Sequence, residues 1–349
     1  MRVLVLSPVN RDNPFTIQFY HSIRSREKVD LVQHGTHWLY SDPPDFDIVH
    51  IHWPEALTHW QTPRPVDQDR IQTVLKQWSE EGSIVATVHN KYPHGQDTSQ
   101  FRSLYNTVYS FADGIVHLGE STKDIVRNRY QREVSDTEEV VIPHGNYEWF
   151  PSDVSRSKAR SALGIQPGTC ACLSFGAVRG EDEFQLLKRG FDRSNIDEKK
   201  LILAGRLPFR PKTSLKHFVV RVPLWLRNDT RLTESFIPYD EVQRYLTAAD
   251  ILIIPRIGSI NSGNVYLGLT FGCVVVGPDI AVIGETLRNT DNPVYTEGNP
   301  DALAGALEQA SQLLDTGLGE KNKDYAQSEL AWQRIGEMHI DLYNDILSS

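Results

Sequence analysis

Cysteine is scarce in this sequence, long apolar runs are missing, and basic charge is not in excess; each shortage closes off a class of protein. Only three cysteines occur in 349 residues. Cys170 and Cys172 lie two apart on what reads as one strand, which is poor geometry for a bridge, and Cys273 is left over. A disulfide framework is therefore not expected, and a reducing, cytoplasmic setting is. The N-terminal run VLVLSPV is short and broken by Pro8, and no window approaches the length that spans a bilayer. The expectation is a protein that is soluble or attached to a membrane only peripherally. A net charge of -9 argues against a general nucleic-acid binder, whose affinity comes from neutralising many phosphates. Any phosphate bound here should be small and locally held. Low-complexity segments and short-period repeats are also missing.

What is present is alternation. With 40% hydrophobic residues the chain can bury two medium cores. Apolar strand-like runs at Val3 to Leu6, Ile48 to His52, Ile84 to His89, Gly114 to Leu118 and Val140 to Ile142 are separated by stretches of helical character. The segment PHGNYEWFPSD, residues 143 to 153, breaks that rhythm with two prolines and a glycine. A second series follows, with strands expected at Cys170 to Phe175, Lys200 to Ala204, Phe218 to Val222, Leu232 to Phe236 and Ile251 to Ile254. The expected fold is α/β, two Rossmann-like domains facing across a cleft, over 1–150 and 151–325. The amphipathic stretch 326–349 reads as a closing helix that packs back on the first domain. In such sheets ligands bind at the carboxyl ends of the strands.

The most informative stretch is ADILIIPRIGSINSGNVYLGLTFGCVVVGPD, residues 249 to 279. It reads as strand, polar loop, short helix, glycine, strand. A helix start leaves backbone N–H groups unpaired and carries the positive end of the dipole, so Ser262, Gly263, Asn264 and Val265 form a candidate phosphate site. An ordinary βαβ turn is the plainer alternative.

Taken with FDIVHIHWPE, TVHN, ADGIVHLGEST and VIPHGNY in the first half, and SFGAVR, LILAGRLP and FIPYDEVQRYLTAADILIIP in the second, the chain resembles the GT-B glycosyltransferases of the group-one, or family-four, type. The likeness runs over nearly the whole sequence. It implies transfer of a sugar from a nucleoside diphosphate donor to a hydroxyl of a saccharide or lipid-linked saccharide. It implies no cofactor beyond the donor and no metal, with the donor on the second domain and the acceptor on the first. Two departures stand out. The family's paired glutamates fall on Ser259 and Leu267, and the place of its phosphate-gripping lysine after Arg179 is taken by an acidic run, GEDE.

Departure of a nucleoside diphosphate develops negative charge, which cationic and N–H donors stabilise. Arg179 and Arg206 follow strands of the second half, as does Arg256, and each is a donor-site candidate; a solvated strand-end arginine is the alternative. The backbone at Phe236 and Ile237 is a candidate for contacting the base, and Glu285 for the sugar or ribose, with a solvated helix cap as its alternative. On the acceptor side His89 ends an apolar strand, and a ring titrating near neutral pH could orient a hydroxyl or carry its proton. Asn90, His144 and the polar loop containing Asn10 and Asn13 are its companions.

Three other readings stay open. His50 and His52 form H-x-H on one strand, as ligands of a metal-dependent hydrolase would. The loss of both glutamates admits a catalytically inactive nucleotide-sugar binder on the same fold. The basic stretch from Arg206 to Arg231, with Asp229 as its only acid, could dock at the inner membrane face or be a solvated surface.

Overall fold

The computed structural model describes residues 1–7, 14–26, 29–41, 45–93, 96–130, 137–208 and 227–349. It divides into unit 1, Met1–Gly145 with Ser259–Asn261 and Leu330–Ser349, and unit 2, Asn146–Gly258 with Ser262–Glu329. No helix among the described residues is long and apolar enough to cross a membrane.

Unit 1 is a parallel sheet of six strands in the order β2-β1-β3-β4-β5-β6. These are β1 (Arg2–Leu6), β2 (Leu31–His34), β3 (Ile48–Ile51), β4 (Ser83–Val88), β5 (Gly114–His117) and β6 (Glu138–Val141). β3 and β5 are buried at every residue, as expected where helices cover both faces of a parallel sheet. The helices are α1 (Pro14–Arg24), α2 (Pro65–Glu81), α3 (Ser99–Ser110) and α4 (Ser121–Tyr130), and the chain's last helix, Trp332–Ser348, joins them. That last helix lays Ile335, Ile340, Leu342 and Tyr343 against Phe15, Phe19 and Ile23 of α1 and the core of the sheet. The approach is close. A Cβ on Gly336 would lie 2.6 Å from the Ser22 carbonyl, so a larger residue there would push the two helices apart.

Unit 2 repeats the plan with strand order β12-β11-β10-β7-β8-β9, again all parallel. Its strands are β7 (Cys170–Phe175), β8 (Lys199–Ala204), β9 (Thr230–Thr233), β10 (Ile251–Ile253), β11 (Val274–Pro278) and β12 (Val294–Tyr295). Its helices are α5 (Arg156–Ala162), α6 (Glu181–Arg193), α7 (Tyr239–Ala248), α8 (Gly263–Thr270), α9 (Ala281–Asn289), α10 (Pro300–Leu313) and α11 (Leu318–Ser328); the closing helix of unit 1 is thus α12. The core packs Leu303 and Leu307 of α10 and Leu187 and Phe191 of α6 over the strands, each such side chain contributing about 1.5–3 kcal/mol by leaving water.

In each sheet the chain reverses its direction of travel once, between β1 and β3 in unit 1 and between β7 and β10 in unit 2. At such a switch point the connections leave on opposite faces and open a crevice at the carboxyl strand ends. The described elements correct the sequence reading in three respects. β9 ends at Thr233, so Phe236 is not on a strand but in the connection to α7. α5, α11, β2 and β12 were not foreseen. Glu285 is the fifth residue of α9 rather than a cap. The strand expected at Phe218 to Val222 lies outside the described residues.

Candidate functional sites at the two strand ends

At the switch point of unit 2 the segments after β7 and β10 bring charge together. Arg256, three residues past β10, is buried. Its Nη1 donates to Glu183 Oε2 at 2.9 Å and to the Ala177 carbonyl at 3.0 Å. The same Glu183 oxygen accepts the Arg179 backbone N–H at 2.8 Å. The guanidinium Nε of Arg256 is buried and has no partner among the described residues. Glu183 lies in the first turn of α6, where the helix dipole favours a carboxylate. The acidic run that replaces the family's lysine therefore has a job: it supplies the counter-ion that holds a buried arginine in place.

Arg179 stays cationic but feels its surroundings. Burial of its guanidinium and the like charge of Arg256 lower its pKa to about 10, against the pull of Glu183. The residue as a whole keeps an exposed surface, so water screens part of that repulsion. Arg206 is exposed, and its carbonyl accepts the Val178 N–H at 2.9 Å, so the segments after β8 and β7 run side by side. They touch closely enough to demand glycine. Gly205 has φ +147°, and a Cβ there would lie 1.8 Å from the Gly176 carbonyl oxygen.

The helix start foreseen at Ser262 is present. Ser262 is the residue before α8, in extended conformation, and Gly263 and Asn264 open the helix. The Asn264 side chain donates to the Phe175 carbonyl at 2.6 Å, which ties the α8 start to the end of β7. Val265 and Leu267 are buried on α8, Leu267 where the family has a glutamate, and Ser259 is buried also. Phe236 is 58% exposed, with its ring 6.2 Å from that of Tyr239; Ile237 is buried. Trp149, not singled out in the sequence, is exposed and packs edge-on against Tyr239 at 5.1 Å. Glu285 is half-buried on α9.

The carboxyl strand ends of unit 1 are different. His50, His52, His89, His144 and His339 are all buried, gathered around Phe15 and Phe19. His50 and His52 stack at 4.3 Å, and His89 stacks on Trp53 at 4.3 Å. His52 Nδ1 and His89 Nε2 share a hydrogen bond of 3.1 Å, so one ring donates and the other accepts. Burial holds His50 and His89 well below the ordinary histidine range and brings His144 and His339 to about 4. These four are therefore neutral at pH 7. Of the two His89 ring nitrogens, Nε2 is the one hydrogen-bonded to a described residue.

The metal reading of H-x-H meets a physical obstacle. Both ring nitrogens of His50 are occupied, Nδ1 by the Tyr343 hydroxyl at 2.5 Å and Nε2 by the Thr87 hydroxyl at 2.7 Å. Ligation would break one of these buried bonds. Among the described residues no group of three or more His, Cys, Asp or Glu is placed to hold a metal ion.

Asn90 is partly exposed and its Nδ2 donates to Glu55 Oε1 at 3.3 Å. Glu55, missed in the sequence, is 1% exposed in the short turn Pro54–Thr58 that follows β3. His144 Nδ1 lies 2.6 Å from the Gly145 carbonyl. Asn10 and Asn13 lie outside the described residues, as does most of the basic stretch; at its described end, Arg227 is ion-paired with Asp192 and Asp229.

No protein-family model and no curated protein matches this chain. Solved structures do. A sucrose-phosphate synthase from Thermosynechococcus elongatus superposes with a TM-score of 0.74 at 12% identity, over 100% of this chain and 99% of that one. HepE from Anabaena, in complex with UDP, gives 0.73 at 12% identity over 99% and 100%. WaaG, a glycosyltransferase involved in lipopolysaccharide biosynthesis, gives 0.63 at 16% identity over 98% and 99%. The likeness is one of fold, over nearly the full length of each partner: this chain has the GT-B fold of those structures.

Proposed function

We propose that the protein is a glycosyltransferase that takes a sugar from a nucleoside diphosphate donor held on unit 2 and passes it to a saccharide or lipid-linked saccharide hydroxyl handled by unit 1. The observation that carries this reading is Arg256. A buried guanidinium with an unpartnered Nε is costly, and an anion beside it would satisfy that donor and relieve the repulsion with Arg179. Glu183 cancels one of the two positive charges and keeps Arg256 fixed before any ligand arrives. Preorganised donors of this kind stabilise charge developing on a leaving phosphate. The α8 start at Ser262 and Gly263 supplies further N–H groups, and the arginines take the charge-neutralising part that a metal would otherwise play. The UDP bound to the structurally similar HepE is in keeping with such a ligand. Phe236, exposed beyond β9, offers a face for the base.

On the acceptor side His89 is neutral at pH 7, as a proton acceptor must be, and Asn90 follows it at the end of β4. The test is a thermal-shift screen with UDP, GDP, ADP, CMP and their sugars, followed by turnover of whichever donor stabilises the fold. Stabilisation with release of nucleoside diphosphate on adding acceptor is the expected result. A second reading is favoured by one observation: Leu267 is buried core, so the family's ribose contact is lost at that position. A binder without activity would be stabilised by donor and turn over none.

A further inference from the structure

Glu55 is a charge-bearing group in a place where charge is costly. Its carboxyl is buried, and burial raises its pKa against the opposing bond from Tyr105. Tyr105 Oη donates to Oε2 at 2.6 Å, and Asn90 Nδ2 donates to Oε1 at 3.3 Å. The turn that carries Glu55 is secured on its own backbone, since its carbonyl accepts the Trp60 N–H at 2.9 Å. Tyr105 is itself fixed, edge-on to Tyr109 and stacked on Tyr130. An ionised Glu55 only accepts hydrogen bonds, in keeping with the amide nitrogen of Asn90 being the atom turned toward it. The amide oxygen then faces the other way, and it accepts no hydrogen bond from any described residue. Asn90 is the partly exposed neighbour of His89.

We propose that Glu55 is a positioning residue: by holding the Asn90 amide in one orientation, it presents Oδ1 beside His89 as a hydrogen-bond acceptor for a hydroxyl of the acceptor saccharide. The inference rests on the glycosyltransferase reading above. An amide free to turn over would offer oxygen or nitrogen with similar ease, whereas the carboxylate admits one face only. The hydroxyl that donates to Oδ1 is a neighbouring one that anchors the acceptor ring and leaves the attacking hydroxyl's proton to His89, whereas an amide nitrogen in that place could not accept from it.

The test exchanges the two groups. In Glu55→Gln the new amide oxygen still accepts from Tyr105, its nitrogen faces Asn90, and Asn90 must turn its oxygen inward. Transfer should fall by about 10-fold or more, the scale of one misplaced hydrogen bond, chiefly through the acceptor KM, with nucleotide affinity unchanged. In Glu55→Gln with Asn90→Asp, a carboxylate oxygen faces outward again and accepts from Gln at the other end, so part of the lost transfer should return. Rescue by a second substitution is not what a merely structural role would give. The side-chain amide resonance of Asn90, assigned with Asn90→Asp, gives a readout free of turnover: it should move in Glu55→Gln. Unchanged transfer in Glu55→Gln, an equal loss of nucleotide affinity, or no recovery in the folded double variant would overturn the proposal. An unmoved Asn90 resonance would overturn it even if the wild-type protein transferred no sugar, the result that would instead sink the glycosyltransferase reading.

Discussion

The two units share a sheet plan and part company in their chemistry. Among the described residues every histidine falls in unit 1, and five of them are packed with aromatic rings at or beside its carboxyl strand ends. Unit 2 places arginine and glutamate at the matching position of its own sheet. A neutral, buried imidazole cluster suits proton handling and hydroxyl orientation; a buried guanidinium held by a carboxylate, with a second arginine nearby, suits a phosphate. The topology decides where a ligand can approach, and the residues at that place decide which ligand.

The comparison can be broken most forcefully at Arg256. Arg256→Ala leaves Glu183 as an uncompensated buried charge, and denaturant unfolding should show a loss of about 3–5 kcal/mol, the usual cost of removing one partner of a buried pair. A loss under about 1 kcal/mol, the scale of an exposed pair, would show that the pair is solvated and not preorganised.

Acid separates the units without mutation. His144 and His339 have folded pKa values of about 4, below the unfolded value near 6.5, so the unfolded chain binds more protons as pH falls. Their stabilisation is whole above the unfolded value and declines as pH drops toward 4. At pH 5 the two together should cost roughly 4 kcal/mol relative to pH 7, with His50 and His89 acting in the same direction. Hydrogen exchange at pH 5 should show β3, β4 and α12 opening before β7 and β10. Equal opening of both units would contradict the histidine account.

At the donor end, Arg179→Ala should lose about 2–4 kcal/mol of transition-state stabilisation, measured as kcat/KM, and Arg179→Lys should recover only part because lysine lacks the planar fork. At the acceptor end, His89→Ala should lose about 100-fold or more in transfer, the scale for a positioned acid or base. Normal transfer in that variant would return His89 to a packing role.

The sequence carried the strands whose residues are continuously apolar. IVHI, SIVATV, CACLSF and VVVGP all announce themselves, as does the helix opening at Ser262. What it hid was short or polar. β12 has two residues, and α11, LGEKNKDYAQS, buries only Leu318, Asn322 and Ala326. In α5, RSKARSA, Ala159 alone is buried, so no apolar face marks the helix. β9 ended earlier than read because Glu234 and Ser235 continue the chain into the proline before α7. The site partners were hidden for another reason. Glu183 meets Arg256 across 73 residues, and Glu55 meets Tyr105 across 50, so a buried counter-ion and a buried acceptor both look like surface acids in one dimension.

The central claim, a phosphate site on unit 2 and a separate hydroxyl site on unit 1, is tested most directly by calorimetry of UDP, GDP and ADP in EDTA. The wild-type protein and the Arg179→Ala and His89→Ala variants would be titrated side by side. The account expects at least one diphosphate to bind without metal, to weaken at least about 10-fold in Arg179→Ala, and to change by less than roughly 0.5 kcal/mol in His89→Ala, since a surface-side arginine contact is lost in one and no binding contact in the other. Binding that vanishes in EDTA and returns with magnesium, or that fails in His89→Ala while surviving in Arg179→Ala, would contradict it.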